Sequence, residues 1–220
     1  MNKNLISISG FKGSGKDTLG NILKKKYGYT CTSFAKNLKQ ALCAMFGWSP
    51  GMIEGSSDHS RQWREQPDPY WSAQFGRSIT PRNMMQEFGT RVVRGHLLDQ
   101  FWISSMKKEL TTHGSGKCIV VTDARFVNEL NMIKSLDGIT IRVVRSDDPP
   151  WFARAAKINK YSGWRKKLAL WFSPTVKKVH ASERDWIGYN FDYIVYNDGT
   201  LEDLETQIDA IMKVLNKQSR

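Results

Sequence analysis

The fold class that this sequence predicts is α/β: a three-layer α/β/α arrangement around a parallel central sheet. Three observations predict it. Leu5-Ile6-Ser7-Ile8 is a short apolar strand that runs into Gly10-Phe11-Lys12-Gly13-Ser14-Gly15-Lys16-Asp17-Thr18 and then into a helical pattern, the strand, glycine loop and helix order of a phosphate-binding P-loop. Cys118-Ile119-Val120-Val121-Thr122 is apolar on both faces, as a strand inside a parallel sheet is. Strands and helices alternate along the chain without repeats or low-complexity linkers.

The glycines of the first loop let the backbone turn tightly, so that amide groups and the following helix N-terminus converge on one anion-sized concavity. Lys16 adds a mobile point charge for the β- and γ-phosphates of a nucleotide. The order Lys16-Asp17-Thr18 departs from the G-x-x-x-x-G-K-[ST] pattern at its last position. Asp17 could therefore hold Mg²⁺ directly or through water, since a hard cation prefers oxygen ligands, while Thr18 could bond a phosphate oxygen. Gly13, Ser14, Gly15, Lys16, Asp17 and Thr18 form the candidate nucleotide site.

With 220 residues the chain can bury a real core and fits one domain with an inserted lid. Its apolar runs are too short to span a bilayer and its N-terminus reads as a strand, so a soluble, cytoplasmic protein with no membrane partner is expected. Cys31, Cys43 and Cys118 are odd in number, unpatterned and mostly in apolar settings, and read as reduced core thiols of a cytosolic protein. The net charge of +12 attracts polyanions. It is concentrated: between Arg145 and His180 there are nine Lys and Arg against two acidic residues, Asp147 and Asp148.

After the loop, Leu19, Ile22, Leu23 and Tyr27 fall at helical spacing, and Gly28 ends that helix before a strand from Tyr29 to Phe34. Lys36–Phe46 is a second amphipathic helix with Leu38, Ala41, Leu42 and Met45 on one face. Lys39 lies off that face, either as a solvated lysine or as an anion contact. Periodicity then fails from Gly47 to Ile79, a long loop or small subdomain carrying Arg61, Trp63, Arg64 and Glu65. Its tryptophans argue against disorder; they could stack on a base, and more simply pack the loop onto its own domain.

Thr80-Pro81 is a cap and first turn, with Met84, Met85, Phe88, Val92 and Val93 as the expected buried face and Arg82, Gln86, Thr90 and Arg91 as polar members. A helix from about Asp99 to Leu110 follows. Asp123 closes the central strand, where open α/β sheets place their chemistry, so it is a metal or substrate candidate, with the alternative that it caps the next helix; Arg125 would point into the same crevice. Thr140–Val144 is another strand. The basic segment beyond it carries Trp151, Trp164 and Trp171; alone, Trp164–Phe172 suggests a membrane surface or nucleic acid, and in a P-loop protein it suits a mobile lid. Glu183 could bond a base or ribose, or complete a cap. A last strand, Tyr193–Tyr196, precedes a helix capped by Thr200 with Leu201, Leu204, Ile208, Ile211, Met212 and Leu215 buried.

In sequence order, Ser9 to Thr18, Arg82 to Thr90, Phe101-Trp102, Asp123-Ala124-Arg125, His180 to Glu183 and Asn197 to Leu204 form a set, and on it the chain resembles the bacteriophage deoxynucleoside monophosphate kinases, which share the Lys-Asp-Thr order. The resemblance implies one P-loop kinase domain over 1–220, with an acceptor-binding insertion at 47–80 and a basic lid at 146–180. It implies transfer of a phosphoryl group from ATP to a deoxynucleoside monophosphate, with Mg²⁺ on Asp17. Lys16, Asp17 and Arg125 would be catalytic; Gly13 to Thr18 and Arg154 would bind ATP. Lys12, Lys39, Arg64, Arg82, Gln86, Thr90, Asp123, Arg125 and Glu183 would bind the acceptor.

Other acceptors with glycine-loop kinases, dephospho-coenzyme A and phosphomevalonate, are the first alternative. An ATP-dependent nucleic-acid-binding factor is the second, although no nucleic-acid module accompanies the charge and no nucleic acid partner is expected. The 47–79 excursion could also pair two copies into a homodimer.

Overall fold

The computed structural model describes residues 2–113 and 116–218. The chain groups into two compact units, one of residues 1–33 with 109–220, the other of residues 34–108. The second takes in the whole 47–80 excursion and extends past it on both sides.

In the first unit β1 (Leu5–Ser9), β2 (Thr30–Thr32), β3 (Ile119–Val121), β4 (Ile139–Val144) and β5 (Tyr193–Tyr196) form one sheet in the order β2-β3-β1-β4-β5. Every pairing is parallel. β1 is central because all five of its residues tolerate burial. The pleat sends Ile6 and Ile8 to one face, where they join Leu19 and Leu23 of α1 (Lys16–Tyr27) and Leu204, Ile208, Met212 and Leu215 of the C-terminal helix Leu201–Gln218. On the other face α8 (Val127–Ser135) packs against β1 and β4. Sheet and flanking helices are thus the predicted three layers.

Polar bonds fix the ends of these elements. Asp192 accepts from the Thr140 amide at 2.8 Å, the Thr140 hydroxyl at 2.9 Å and Lys134 at 2.8 Å, joining the start of β5 to β4 and α8. Tyr27 and Lys26 both donate to Asp209, tying α1 to the C-terminal helix. On β5, an edge strand, the side-chain amide of Gln207 pairs with the main chain of Tyr196: Tyr196 N donates to Oε1 at 2.9 Å and Nε2 donates to the Tyr196 carbonyl at 2.7 Å.

The second unit is helical. It contains α2 (Lys36–Phe46), α3 (Pro50–Glu54), α4 (Asp58–Trp63), α5 (Pro69–Phe75) and α6 (Pro81–Gln86), and α7 (Phe101–His113) begins in it. Gly47–Ile79 is therefore a small helical subdomain. Its helices are too short to show a 3.6-residue repeat, and they are set by caps: Ser57 accepts from the Ser60 amide and Asp68 from the Trp71 amide. The tryptophans pack within this unit. Phe46 stacks on Trp48 with ring centres 4.4 Å apart, Trp48 donates to Asp68 at 2.8 Å, and Trp71 donates to the Phe46 carbonyl at 2.9 Å. On α2 the buried residues are Leu38 and Leu42; Ala41 and Met45 face solvent.

After α6 the chain continues from Glu87 to Leu97 as a π-helix. Its i to i+5 bonding changes which residues meet the core. Met84, Gly89 and Arg94 are buried, five residues apart, whereas Met85, Phe88, Val92 and Val93 are half-buried. The expectation of a 3.6-residue face fails here because the turn is wider. Gly89 lies against Leu38, and its carbonyl accepts from the Trp102 indole at 2.9 Å.

Between β4 and β5 lie α9 (Phe152–Asn159), α10 (Gly163–Trp171), α11 (Pro174–Lys178) and α12 (Ala181–Arg184), and the C-terminal helix is α13. Leu201, expected in the core, is exposed at the first turn of α13, ahead of Leu204, and of the three cysteines expected there Cys31, on the edge strand β2, is exposed while Cys43 and Cys118 are half-buried. Residues 114 and 115, between α7 and β3, lie outside the described residues. Among the described residues no helix is long and apolar enough to cross a membrane.

Candidate active site

β3 and β4 flank β1, so residues just past their C-terminal ends border the loop that leaves β1. Two glycines make that loop possible. Gly10 has φ +152°, and a Cβ there would stand 2.5 Å from the Val143 carbonyl oxygen of β4. Gly15, the cap of α1, has φ +100°, and a Cβ there would collide with the Asn197 amide.

Lys16 opens α1 and is buried, with Nζ donating to the Gly10 carbonyl at 2.9 Å and the Phe11 carbonyl at 2.6 Å. Burial, and then the Arg125 guanidinium, lower its pKa from 10.5 to about 8, against opposing pulls from Glu183, Asp17 and Asp123. These four charged groups therefore surround the lysine. Ser14 is buried, and its hydroxyl is without a hydrogen-bond partner among the described residues. Asp17, Thr18 and Lys12 are exposed.

Arg125 follows β3 and pairs with Glu183. Its own amide and that of Phe126 donate to the buried carboxylate of Glu129, at 2.7 and 3.1 Å, which fixes the direction of the chain as it leaves the sheet. The cap position of α8 belongs to Phe126, so Asp123 stands ahead of it rather than at the cap. Glu183 sits in the first turn of α12, whose cap is His180: the Ser182 amide donates to its Nδ1 at 3.2 Å. Burial holds the His180 pKa below its usual value.

Two residues on the loop were not among the sequence candidates. Arg145 ends β4 and donates to the Gly13 carbonyl at 3.3 Å. Asn197, just past β5, donates to the Ser14 carbonyl at 2.9 Å and covers Gly15. The strand-end rule that marks Asp123 and Arg125 also covers these two positions, just past β4 and β5. Arg154, expected on ATP, instead donates to the Ser173 hydroxyl at 2.8 Å and the Phe172 carbonyl at 3.2 Å, bracing α9 against the turn before α11.

The remaining candidates lie in the helical unit. Lys39 pairs with Glu54 at 2.8 Å, and Arg64 donates to the Glu54 carbonyl at 3.4 Å. Arg82 pairs with Glu65 at 3.1 Å, and its amide donates to the Arg64 carbonyl at 2.9 Å. Burial and then the Arg82 charge hold the Arg64 pKa below its usual value. Gln86 and Thr90 are half-buried on either side of the change from α6 to the π-helix.

No group of three or more His, Cys, Asp or Glu among the described residues forms a metal cage. A divalent ion would have to share its shell with phosphate oxygens and water, the habit of Mg²⁺. Asp17 and Asp123, both acting on Lys16, are oxygen donors of the right chemistry.

A family model for deoxynucleotide monophosphate kinase matches residues 70–151. The chain is also 35% identical over 160 residues to a protein of Acanthamoeba polyphaga mimivirus provisionally described as a deoxynucleotide monophosphate kinase, covering 66% of this chain and 77% of that one. The chain belongs to the deoxynucleotide monophosphate kinase family. Solved structures similar to it include the shikimate kinases of Aquifex aeolicus (16% identity, TM-score 0.42, 96% of this chain and 98% of that one) and Bacteroides thetaiotaomicron (13%, 0.44, 95% and 98%). Membership agrees with the resemblance carried by the loop and the strand-end motifs. The matched residues 70–151 include Arg82, Gln86, Thr90, Asp123, Arg125 and Arg145.

Proposed function

We propose that the protein transfers the γ-phosphoryl group of ATP to the phosphate of a deoxynucleoside monophosphate, giving ADP and the deoxynucleoside diphosphate. The observation that carries this reading is Lys16: a buried cation at the head of α1, wrapped by a glycine loop and standing beside a second cation, Arg125. Two neighbouring cations at a glycine loop, held by carbonyls and a carboxylate that phosphate oxygens can replace, match a polyphosphate.

In this reading the loop amides and Lys16 hold the β- and γ-phosphates, with Asn197 and Arg145 keeping the loop in shape from outside. Lys16 exchanges the Gly10 and Phe11 carbonyls for phosphate oxygens. Arg125 exchanges Glu183 for the phosphate being moved, and screens the charge that spreads over it in the transition state. Glu183, once released, is a hydrogen-bond acceptor for the sugar or base. Mg²⁺ on Asp17, with Asp123 near, would supply further neutralisation of the β- and γ-phosphate oxygens. The attacking oxygen is a phosphate oxygen already ionised at neutral pH, so no side chain need act as general base. Lys12 on the loop, and Lys39, Arg64, Arg82, Gln86 and Thr90 in the helical unit, are proposed contacts to the acceptor. Arg154 is the proposed ATP contact from the basic segment, and to make it the guanidinium would exchange the Ser173 hydroxyl and the Phe172 carbonyl for a phosphate, as Lys16 and Arg125 exchange their partners.

The test is ADP release in a coupled assay with ATP and Mg²⁺, adding each deoxynucleoside monophosphate in turn, with dephospho-coenzyme A, phosphomevalonate and single-stranded DNA as controls. Release that depends on a deoxynucleotide, and is lost in folded Lys16→Ala, is expected. Release with one of the controls alone, or wild-type turnover in Lys16→Ala, overturns the reading.

A further inference from the structure

The segment between β4 and β5, read from the sequence as a basic lid, carries a surface to which the proposed reaction assigns no role. From Pro149 to Ser182 there is no acidic residue, and there are eight Lys and Arg. α10 packs against α9 and α11 through one side, and Lys166 on that side reaches Asp185 at 3.4 Å. The opposite side is apolar and open to solvent: Trp164 is 69% exposed, Leu168 48%, Trp171 70% and Phe172 67%. At 3.6 residues per turn these four fall within an arc of about 100°. Arg165 and Lys167 lie just outside it, one at each border. Both are exposed, as are Lys177 and Lys178 of α11.

Cations also sit over the indoles: the Arg165 guanidinium is 5.6 Å from the Trp164 ring centre and Lys177 Nζ is 5.1 Å from that of Trp171. Indole and cation side by side, with an apolar body and a charged edge, are what the headgroup level of a bilayer accommodates.

We propose that α10 and the turn after it bind the surface of an anionic lipid bilayer. The apolar stripe enters the boundary between headgroups and acyl chains, and the bordering cations meet lipid phosphates. The stripe's layout selects this occupant. A nucleic-acid track needs cations along the contact face with rings between them. Here the centre of the face holds an aliphatic Leu168, and the cations stand at its edges. The contact is peripheral, and independent of the phosphate loop.

The test uses the full chain and large unilamellar vesicles, read by co-sedimentation and by tryptophan emission. The protein should pellet with vesicles of phosphatidylcholine mixed with phosphatidylglycerol, with emission shifting to the blue, and should stay in solution with pure phosphatidylcholine. High salt should release it. Arg165→Gln with Lys167→Gln should lower the partition about 25-fold, taking roughly fivefold per surface cation. Trp164→Ala with Trp171→Ala should abolish it. All four side chains are exposed, so the variants should keep the wild-type circular dichroism and unfolding midpoint.

No pelleting with anionic vesicles, or equal pelleting with both kinds, overturns the proposal. So does salt-sensitive binding of a single-stranded oligonucleotide that the tryptophan variants lose while vesicle binding is unchanged. A dimer in sedimentation equilibrium that the same variants dissociate, without vesicle binding, overturns it as well. Loss of ADP release in Lys16→Ala leaves the membrane outcome untouched, so the two readings fail separately.

Discussion

Raising the pH should stabilise the nucleotide-free protein through Lys16, and the size of the effect follows from its surroundings. The side chain titrates at 10.5 when unperturbed and at about 8 in the folded loop, because burial and Arg125 disfavour its charge. Between these values the unfolded chain holds the proton and the folded chain does not, so stability rises with pH. At 1.36 kcal/mol per pKa unit, going from pH 7 to pH 9 adds about 1.3 kcal/mol through this one group. Burial also pushes the Cys31 and Cys43 thiols above their usual pKa, so they too contribute to the pH dependence. The measurement is therefore a difference: urea unfolding of wild type and of Lys16→Met at both pH values. The gain of wild type between the two should exceed that of the variant by about 1.3 kcal/mol. Saturating ATP with Mg²⁺, whose phosphates favour the ammonium form, should shrink the gap. An equal gain in the two proteins, or a larger one in the variant, would refute the placement of Lys16 as a buried cation within the loop.

Two further substitutions test the sheet that carries the loop. Gly10→Ala combines a φ of +152° with a Cβ 2.5 Å from the Val143 carbonyl, backbone against backbone; it should cost at least about 3 kcal/mol in urea unfolding, and a loss below about 1 kcal/mol would contradict the close approach of β1 to β4. At Asp192, burial raises the carboxyl pKa, but bonds from Lys134 and Thr140 outweigh it and hold the group below its ordinary 3.8. The stability this gives is present above that value and lost as pH falls through the folded one, so Asp192→Asn should cost about 1–3 kcal/mol at pH 7 and the gap should narrow under acid; a gap that does not change with pH would show that the charge is irrelevant.

The parts of the molecule legible in the sequence are those where one local rule decides. The loop at Gly10 to Thr18, the doubly apolar β3 and the Thr200 cap each carry their geometry in a few adjacent residues. Strand-end positions gave Asp123 and Arg125 for the same reason. What escaped depends on distant partners. The five-residue spacing of Met84, Gly89 and Arg94 exists only because the helix widens against Leu38 and Trp102. Arg145 and Asn197 reach the loop through the order of the strands, which neighbouring residues do not encode. Arg154 meets Ser173 and Phe172, almost twenty positions away, a contact that no local pattern signals.

An outer strand normally offers its peptide groups to any passing chain, and extended segments can add to it without limit. At Tyr196 that offer is withdrawn. The carboxamide of Gln207 has the same donor and acceptor as a peptide unit, and it fills the slot a sixth strand would occupy. The C-terminal helix thus supplies a one-residue imitation of a strand, and growth of the sheet stops on that side without a proline or a charge in β5.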